Sequence, residues 1–290
     1  GEDYVLAVTV RPDRIEEARS RWTESLARLE RAGYESRRVS TLTQMAWTEV
    51  LAGDHRAAGE LLDAADQLAV DLGADTTGPR LYRAHLDALL GDRAAVRAAV
   101  AIGRAAADAA GNRWVGALWR RVVGTDALAA GEPGIAADHF AAALSVALEL
   151  GIREPNWARI DADLVEALVG AGRLAEAEAA SSDFGARAAT ARLPWATMAH
   201  ARSSGALLAA RDDPVGALAT LDSVAELAAA LPLAMERARF DLVRGMVLRR
   251  LRRLREARAA LDAARATFAI CPSQPWEARA LSELARLGGR

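Results

Sequence analysis

The sequence predicts an all-α fold, a right-handed solenoid of antiparallel helix hairpins with a period of about 40 residues. Three observations predict it. About a quarter of the residues are alanine and only 5% are aromatic, a composition that favours closely packed helices over sheets. A helix-breaking stretch, LAGDHRAAGELL at 51–62, returns in altered form along the chain. The copies come at nearly constant spacing, which indicates a repeat array.

Each copy of the break is followed by an alanine, which gives the repeat its register. Seven such alanines lie at intervals of 40, 37, 41, 41, 40 and 40 residues: Ala18, Ala58, Ala95, Ala136, Ala177, Ala217 and Ala257. Glycine in the break supplies a left-handed helix cap, so we predict positive φ at Gly53, Gly131 and Gly172. Asp54 and Asp92 are predicted to cap the helices that follow. The break is therefore a turn between two antiparallel helices.

Small and large residues alternate in a fixed register around these alanines. Twelve residues earlier stands a small residue in most copies: Ala46, Gly124, Gly205 and Gly245. Four residues later stands a large one in most copies: Trp22, Leu62, Phe140, Leu221 and Leu261. Small facing residues let helices approach closely, and we expect the large residue to fill the space between neighbouring hairpins. This spacing resembles the tetratricopeptide pattern, lengthened to about 40 residues.

The repeat divides the chain into consecutive helical hairpins within one solenoid over 1–290. The predicted units are a truncated first hairpin at 1–33, hairpins at 35–73, 78–111, 113–151, 155–191, 194–231 and 233–270, and a terminal helix at 274–288. The second of the complete hairpins fits the register worst, because Arg83 and His85 fall inside its first helix.

The C-terminal sequence carries a more specific resemblance. An E-R-A-R helix leads to an arginine-rich turn, then to A-L-x-x-A, a W-x-x-R-A helix and A-R-L-G-G-R. Over 232–290 this layout resembles the end of the sensor region of large ATP-binding LuxR-type transcriptional regulators of actinobacteria, relatives of the maltose regulon activator. Over 1–231 the likeness is one of architecture.

The resemblance implies a ligand- or partner-sensing domain of a transcriptional regulator. Such a domain would bind an effector on its concave face and relay the signal to a nucleotide-switch domain and a DNA-binding domain, neither of which is in this sequence. Contact with DNA would then be made only through that absent C-terminal domain. The alternative is a stand-alone tetratricopeptide-type scaffold that binds a peptide or protein.

Residue usage argues against several kinds of chemistry. All 37 basic residues are arginine, so neither a lysine-containing phosphate-binding loop nor a Schiff-base lysine is possible. The four histidines show no metal-ligand spacing, and no G-x-S-x-G motif occurs. We therefore expect no enzymatic activity, no metal and no cofactor in this segment. A single cysteine, Cys271, fits a reducing cytosol, and we expect a cytoplasmic protein without a signal peptide or membrane helix.

The candidate binding residues are those that the tetratricopeptide register turns toward the concave face. A small-molecule effector or a peptide is expected to contact Thr43, Trp47, His85, Arg121, Thr125, Arg159, Glu166, Arg202, Arg239 and Met246. Trp119 joins them as a tryptophan placed deep in a first helix. Four other tryptophans open first helices and are expected to wedge between hairpins: Trp114, Trp157, Trp195 and Trp276. Arg121 and Arg202 have no acidic residue one turn away, so we predict that replacing them leaves stability nearly unchanged.

The last hairpin turn is rich in arginine, and residues 231–290 hold 13 arginines against 6 acids. The cluster consists of Arg249, Arg250, Arg252, Arg253 and Arg255. It has two interpretations. The arginines are solvated and interact favourably with the end of the preceding helix, or they dock a neighbouring domain of the parent protein or a nucleic acid.

Overall fold

The computed structural model describes residues 14–288, and over that range the chain forms helices and turns without strands. The helices are α1 (Ile15–Ala32), α2 (Glu35–Ala52), α3 (His55–Asp71), α4 (Thr77–Leu90), α5 (Arg93–Ala109), α6 (Arg113–Ala129), α7 (Pro133–Glu149), α8 (Pro155–Ala158), α9 (Asp161–Gly170), α10 (Leu174–Ala191), α11 (Pro194–Ala210), α12 (Pro214–Asp222), α13 (Ala225–Ala230), α14 (Ala234–Arg250), α15 (Leu254–Ile270) and α16 (Gln274–Gly288). The predicted all-α solenoid of helix hairpins is confirmed. Residues 1–13 of the predicted truncated hairpin lie outside the described residues.

The turns between helices have the predicted chemistry. Gly53, Gly131 and Gly172 have φ values of 92°, 77° and 73°, so the predicted left-handed conformation is confirmed. Asp54 and Asp92 accept hydrogen bonds from backbone N–H groups three residues later, both at 3.0 Å. Because these groups satisfy the free ends of the helices, each break is a well-defined turn.

The predicted register is wrong by one residue in the hairpin formed by α4 and α5. The repeat alanines of the other hairpins are the fourth residues of their helices, but the fourth residue of α5 is Val96. Val96 is buried, whereas Ala95 is only half-buried. Twelve residues before Val96 stands the buried Ala84, which restores the small-residue position that Arg83 had seemed to occupy. Side-chain burial, rather than identity to alanine, defines the register here.

The small and large residues pack against each other within a hairpin. A Cβ atom on Gly124 would lie 2.6 Å from the Phe140 ring, and one on Gly245 would lie 2.6 Å from the Leu261 side chain. In both cases the glycine is on the first helix and the large residue is on the second helix of the same hairpin. We expected the large residue to fill the space between neighbouring hairpins, whereas its contact with the glycine at these two positions lies within one hairpin.

The first helix of the hairpin at 155–191 is interrupted where the sequence predicts continuity. Arg159 adopts a left-handed conformation with φ 48° and ψ 45°, so α8 ends at Ala158 and α9 begins at Asp161. A residue with a Cβ atom pays roughly 1–2 kcal/mol in this conformation. The interruption turns the Arg159 side chain into the interior of the solenoid, where it lines a cavity.

The two ends of the described solenoid meet, which encloses its concave face. α2 contacts α14, and α4 contacts α16. The Ser273 hydroxyl donates to the backbone oxygen of Leu89 across this seam. Gly91 lies so close to Pro275 that a Cβ atom would stand 2.8 Å from its ring. The predicted concave groove is therefore a closed interior lined by first helices.

A helix that crosses a bilayer needs about 20 consecutive, predominantly apolar residues. Within residues 14–288, no helix is both long and apolar enough to cross a membrane.

Candidate functional site

A cavity of about 60 Å³ lies inside the ring of first helices. Its polar and aromatic walls are Trp47, His85, Arg121, Thr125, Arg159, Asp163, Glu236, Arg239 and Trp276. Six of these nine residues are among the predicted concave-face positions. The register therefore brings most of the predicted residues together around one space, which we call the inner cavity.

A second cavity of about 220 Å³ adjoins the inner one, and we call it the outer cavity. The two share Trp47, His85 and Arg121 as walls. The remaining lining residues of the outer cavity are Gln44, Leu81, Tyr82, Trp114, Leu118, Val122, Asn156 and Trp157. Trp157 is 40% exposed, so it is not the buried wedge that we expected. Its ring stands where the outer cavity reaches the surface.

Five charged residues on one side of the interior form ion pairs with each other, and we call them the paired cluster: Asp163, Glu166, Arg202, Glu236 and Arg239. Arg202 is 1% exposed and donates to Glu166 at 2.6 Å and to Glu236 at 2.5 Å. Arg239 lies 2.6 Å from Asp163 and 2.9 Å from Glu166. The prediction that Arg202 lacks an acidic partner is wrong, because its partners come from neighbouring hairpins rather than from its own helix.

The protonation states of the paired cluster reflect this close pairing. Burial opposes ionisation of Glu236, but the nearby Arg202, Arg159 and Arg239 outweigh it and hold the pKa of Glu236 at about 2. Glu166 is likewise buried, and Arg202 and Arg239 lower its pKa. The carboxylates of Glu166 and Glu236 are therefore charged at neutral pH and tightly bound to arginine.

The other side of the interior holds arginines without carboxylate partners. We call this group the unpaired cluster: Trp47, His85, Arg121, Thr125 and Arg159. Arg121 lies 4.8 Å from the centre of the Trp47 ring, and its terminal nitrogen lies 3.0 Å from Nε2 of His85. Within the described residues, neither Arg121 nor Arg159 has a carboxylate oxygen at ion-pair distance.

Arg159 is the least satisfied charged group of the unpaired cluster. Its guanidinium stacks 4.1 Å above the centre of the Trp195 ring. Both terminal nitrogens are buried without a hydrogen-bond partner in the described structure. Burial lowers the pKa of Arg159 to about 10, so it remains charged at neutral pH. Buried charged groups are nearly always paired, which makes this arrangement unusual for a structural arginine.

His85 is neutral and presents a donor to the interior. Burial, reinforced by Arg121, lowers the pKa of His85 well below its ordinary value. Because an arginine nitrogen can only donate, Nε2 of His85 accepts from Arg121 and the proton resides on Nδ1. Nδ1 of His85 and the hydroxyl of Thr125 are buried without hydrogen-bond partners in the described part of the chain. The unpaired cluster thus offers several free donors to whatever enters the inner cavity.

Besides Arg202, four predicted residues do not line the inner cavity. Thr43 is buried and donates to the backbone oxygen of Val39. Trp119 is 1% exposed, and a Cβ atom on Gly103 would collide with its ring. Trp119 therefore fills the seam between α5 and α6 and does not present an exposed aromatic surface, which corrects that prediction. Met246 packs against the hydrophobic core, and Glu166 belongs to the paired cluster.

The arginines predicted to dock another domain are partly used within the chain. Arg249 donates to Glu283 at 3.2 Å, and Arg253 pairs with Glu256 at 2.6 Å. Arg250 donates to the backbone oxygen of Ala209. Arg252 and Arg255 are exposed. The prediction of a docking surface therefore depends on fewer free side chains than the sequence indicates.

Several residues of the interior were missed by the sequence analysis. They are Tyr82, Asp163 and Glu236, which line a cavity or carry charge there. Trp195 and Trp276 were expected as wedges, but each also supports an arginine, Arg159 and Arg239 respectively, through ring stacking. No group of three or more metal-ligating side chains occurs among residues 14–288.

Comparisons with known proteins give one distant structural likeness. No family model matches the sequence, and no curated protein matches it. Among solved structures, the chain is similar to one described as the TPR2AB-domain:pHSP90-complex of yeast Sti1. The identity is 14% over the whole of both chains, with a TM-score of 0.31. That likeness is too distant to carry an argument about partners. By its own helix arrangement, the chain is a tetratricopeptide-like helical repeat.

Proposed function

We propose that this chain is a ligand-sensing helical-repeat domain that binds a small-molecule effector in the closed interior between its first helices. The observation that carries the proposal is the unpaired cluster beside the inner cavity. Leaving a buried donor unsatisfied costs roughly 1–3 kcal/mol, and more for a charged group. Groups held in this way are typical of binding sites, where a ligand supplies the missing partners.

The enclosed interior favours a small molecule over the stand-alone peptide scaffold. A peptide on the concave face of a solenoid needs an open groove along several repeats. Here the seam between Leu89 and Ser273 closes that face, and the paired cluster fills part of it with side chains that already form ion pairs with each other. A small effector that enters through the outer cavity needs no such groove.

We further propose that the domain belongs to a transcriptional regulator, in which effector binding is relayed to other domains. The support is the resemblance of residues 232–290 to the sensor region of LuxR-type regulators. The coding sequence that follows Arg290 tests this part directly. A helix-turn-helix encoded there supports the regulator, and its absence favours a binding domain without a link to DNA.

A thermal-shift screen against small metabolites tests binding in the interior. Thr125→Phe places a phenyl ring in the inner cavity, and Thr190→Phe is the matched control on the exposed face of α10. A ligand at a hundred times its dissociation constant adds about 2.7 kcal/mol to the free energy of unfolding. We expect compounds that stabilise the wild type and Thr190→Phe but not Thr125→Phe. Hits that stabilise all three proteins equally would place binding elsewhere.

A further inference from the structure

We infer that the effector is an amphipathic carboxylate, with its carboxylate bound by Arg121 and Arg159 in the inner cavity and a flat apolar body in the outer cavity. This inference rests on the proposed function and adds the chemical class of the ligand. It follows from the charge balance of the interior, from the geometry of Arg159 and from the different linings of the two cavities.

The charge balance of the interior calls for one negative group. The paired and unpaired clusters together contain four arginines, namely Arg121, Arg159, Arg202 and Arg239. They contain three carboxylates, each committed to Arg202 or Arg239. One positive charge is therefore in excess, and it resides on the side where Arg121 and Arg159 lack partners. A single bound carboxylate would balance it.

The geometry around Arg159 holds a guanidinium ready for an anion. Its backbone is fixed in a strained left-handed conformation, and its plane stacks on Trp195. Neither terminal nitrogen has a hydrogen-bond acceptor within the described structure. A planar guanidinium matches the two oxygens of a carboxylate through parallel hydrogen bonds. Positional strain of this kind is concentrated at binding sites, where it contributes to pre-organisation.

The linings of the two cavities indicate which end of the ligand each cavity would bind. The inner cavity, at about 60 Å³, has room for a small polar group. The outer cavity is larger, at about 220 Å³, and is walled by aromatic rings of Trp47, Tyr82, Trp114 and Trp157. The rings of Trp47 and Tyr82 lie 5.2 Å apart. Aromatic walls favour a flat apolar body through stacking and edge contacts.

Arg121 lies where the two ends of such a ligand would join. It lines both cavities, and its guanidinium is fixed between Trp47 and His85. The neutral His85 keeps an unpartnered Nδ1–H beside this arginine. A carboxylate in the inner cavity can therefore receive charge-assisted hydrogen bonds from Arg121 and Arg159, which line it, and a neutral amide cannot accept these equally well.

Isothermal titration with three probes tests the chemical class. We expect 3-phenylpropanoate to bind the wild-type chain at least tenfold more tightly than its amide, 3-phenylpropanamide, which keeps the shape without the charge. Acetate, which is the head group alone, is expected to bind at least tenfold more weakly than 3-phenylpropanoate. Equal affinities for the acid and the amide would overturn the inference.

Substitution of Arg159 tests the residue that carries the inference. Arg159→Met keeps the stem of the side chain on Trp195 and removes the charge, and we expect at least a tenfold loss of affinity for 3-phenylpropanoate. Arg192→Met is the matched control. Arg192 also has a left-handed backbone (φ 52°) at a helix C-terminus, but its side chain is exposed. An unchanged affinity in Arg159→Met, or an equal loss in both variants, would contradict the assignment.

The outcome also separates this inference from the proposed function. If only neutral compounds from the metabolite screen bind, and Thr125→Phe abolishes that binding, the interior is a ligand site and the carboxylate inference is wrong. If neither the three probes nor any screened compound binds, both proposals fail. A folded Arg159→Met protein is required for each comparison, and its melting curve supplies that check.

Discussion

The two sides of the closed interior show how the same residue type serves opposite purposes. In the paired cluster, Arg202 is surrounded by Glu166 and Glu236 and has no free capacity for another partner. In the unpaired cluster, Arg159 is almost equally buried, yet its terminal nitrogens have no acceptor in the described structure. Both arginines project from first helices toward the interior. The two arginines differ in whether a neighbouring hairpin provides a carboxylate at ion-pair distance.

This difference separates stability from binding within one cavity wall. An arginine with carboxylate partners holds adjacent hairpins together, and its loss strands buried charges. An arginine without them weakens the unliganded protein and is useful only when a partner arrives from outside. Burial alone therefore says nothing about role, whereas the partners of each guanidinium do.

The largest expected effect is on the paired cluster itself. Arg202→Met should lower the free energy of unfolding by about 3–5 kcal/mol, because it leaves Glu166 and Glu236 buried with less compensation. Urea denaturation of the two proteins measures the difference. Arg211→Met, at an exposed pair with Glu178, is the control and should change stability by less than about 1 kcal/mol. Near-equal stabilities for wild type and Arg202→Met would mean that the ion pairs do not join the hairpins.

Acid should weaken the paired cluster in a defined pH window. The pKa of Glu236 is held at about 2, below its ordinary value of 4.5. The unfolded chain therefore takes up a proton first as pH falls, so this contribution is complete above pH 4.5 and is lost between pH 4.5 and 2. Its size is about 3 kcal/mol.

The matched variant for the acid prediction is Glu236→Gln, which removes the titrating group and keeps the shape. Other carboxyl groups contribute slopes of their own, since burial raises the pKa of Asp87 and of Asp241 to about 6. The difference in unfolding free energy between wild type and Glu236→Gln isolates the Glu236 term. A difference that stays constant from pH 6 to pH 3 would contradict the assignment.

The inward-facing positions of the first helices could be predicted from the sequence. The ion pairs between first helices of neighbouring hairpins could not. Spacing from the repeat residue placed Trp47, His85, Arg121 and Arg159 around one interior. The sequence pattern indicates ion pairs only between residues three and four apart on the same helix. First helices of successive hairpins lie side by side, so partners are found about 36 residues away, as Glu166 is from Arg202.

Closure of the ring is a property that short-range patterns do not contain. It depends on small rotations accumulated over six hairpins, and no local motif records their sum. The left-handed Arg159 is likewise invisible in sequence, because arginine has no preference for that conformation. For the same reason, the sequence predicts an open concave groove where the structure has an interior with two adjoining cavities.

The seam that closes the ring provides the next test of the comparison. Ser273→Ala removes the donor to the Leu89 oxygen, which should cost about 1.5 kcal/mol. Cys271 is 2% exposed beside this seam, so opening should expose its thiol. We expect a thiol reagent to modify Cys271 roughly tenfold faster in the variant, as 1.4 kcal/mol corresponds to a factor of ten. Ser282→Ala, at an exposed position on α16, should leave the rate unchanged, and an unchanged rate in both variants would show that the seam is not what closes the interior.

The smallest expected effect is an increase in stability, whereas the substitutions above are expected to decrease it. Arg159→Met should raise the free energy of unfolding of the unliganded chain by about 1 kcal/mol. Burial lowers the pKa of Arg159 from the ordinary arginine value to about 10, so the charged form is disfavoured by about 3 kcal/mol at neutral pH. The stacking of the guanidinium on Trp195 offsets about 2 kcal/mol of that cost. Methionine keeps the contact with the ring and carries no charge to desolvate.

Urea denaturation at pH 7 measures the free energy of unfolding of the wild type, Arg159→Met and Arg202→Met in parallel. The two variants carry the same substitution, one in the unpaired cluster and one in the paired cluster. A loss of several kcal/mol in both would show that Arg159 has a structural role and that the two sides of the interior do not differ. A gain in one and a loss in the other is the signature of a binding residue beside a structural one. The gain should begin to shrink above about pH 10, where the folded wild-type arginine loses its proton, and it should vanish only near the ordinary pKa of arginine, where the unfolded chain loses its proton too.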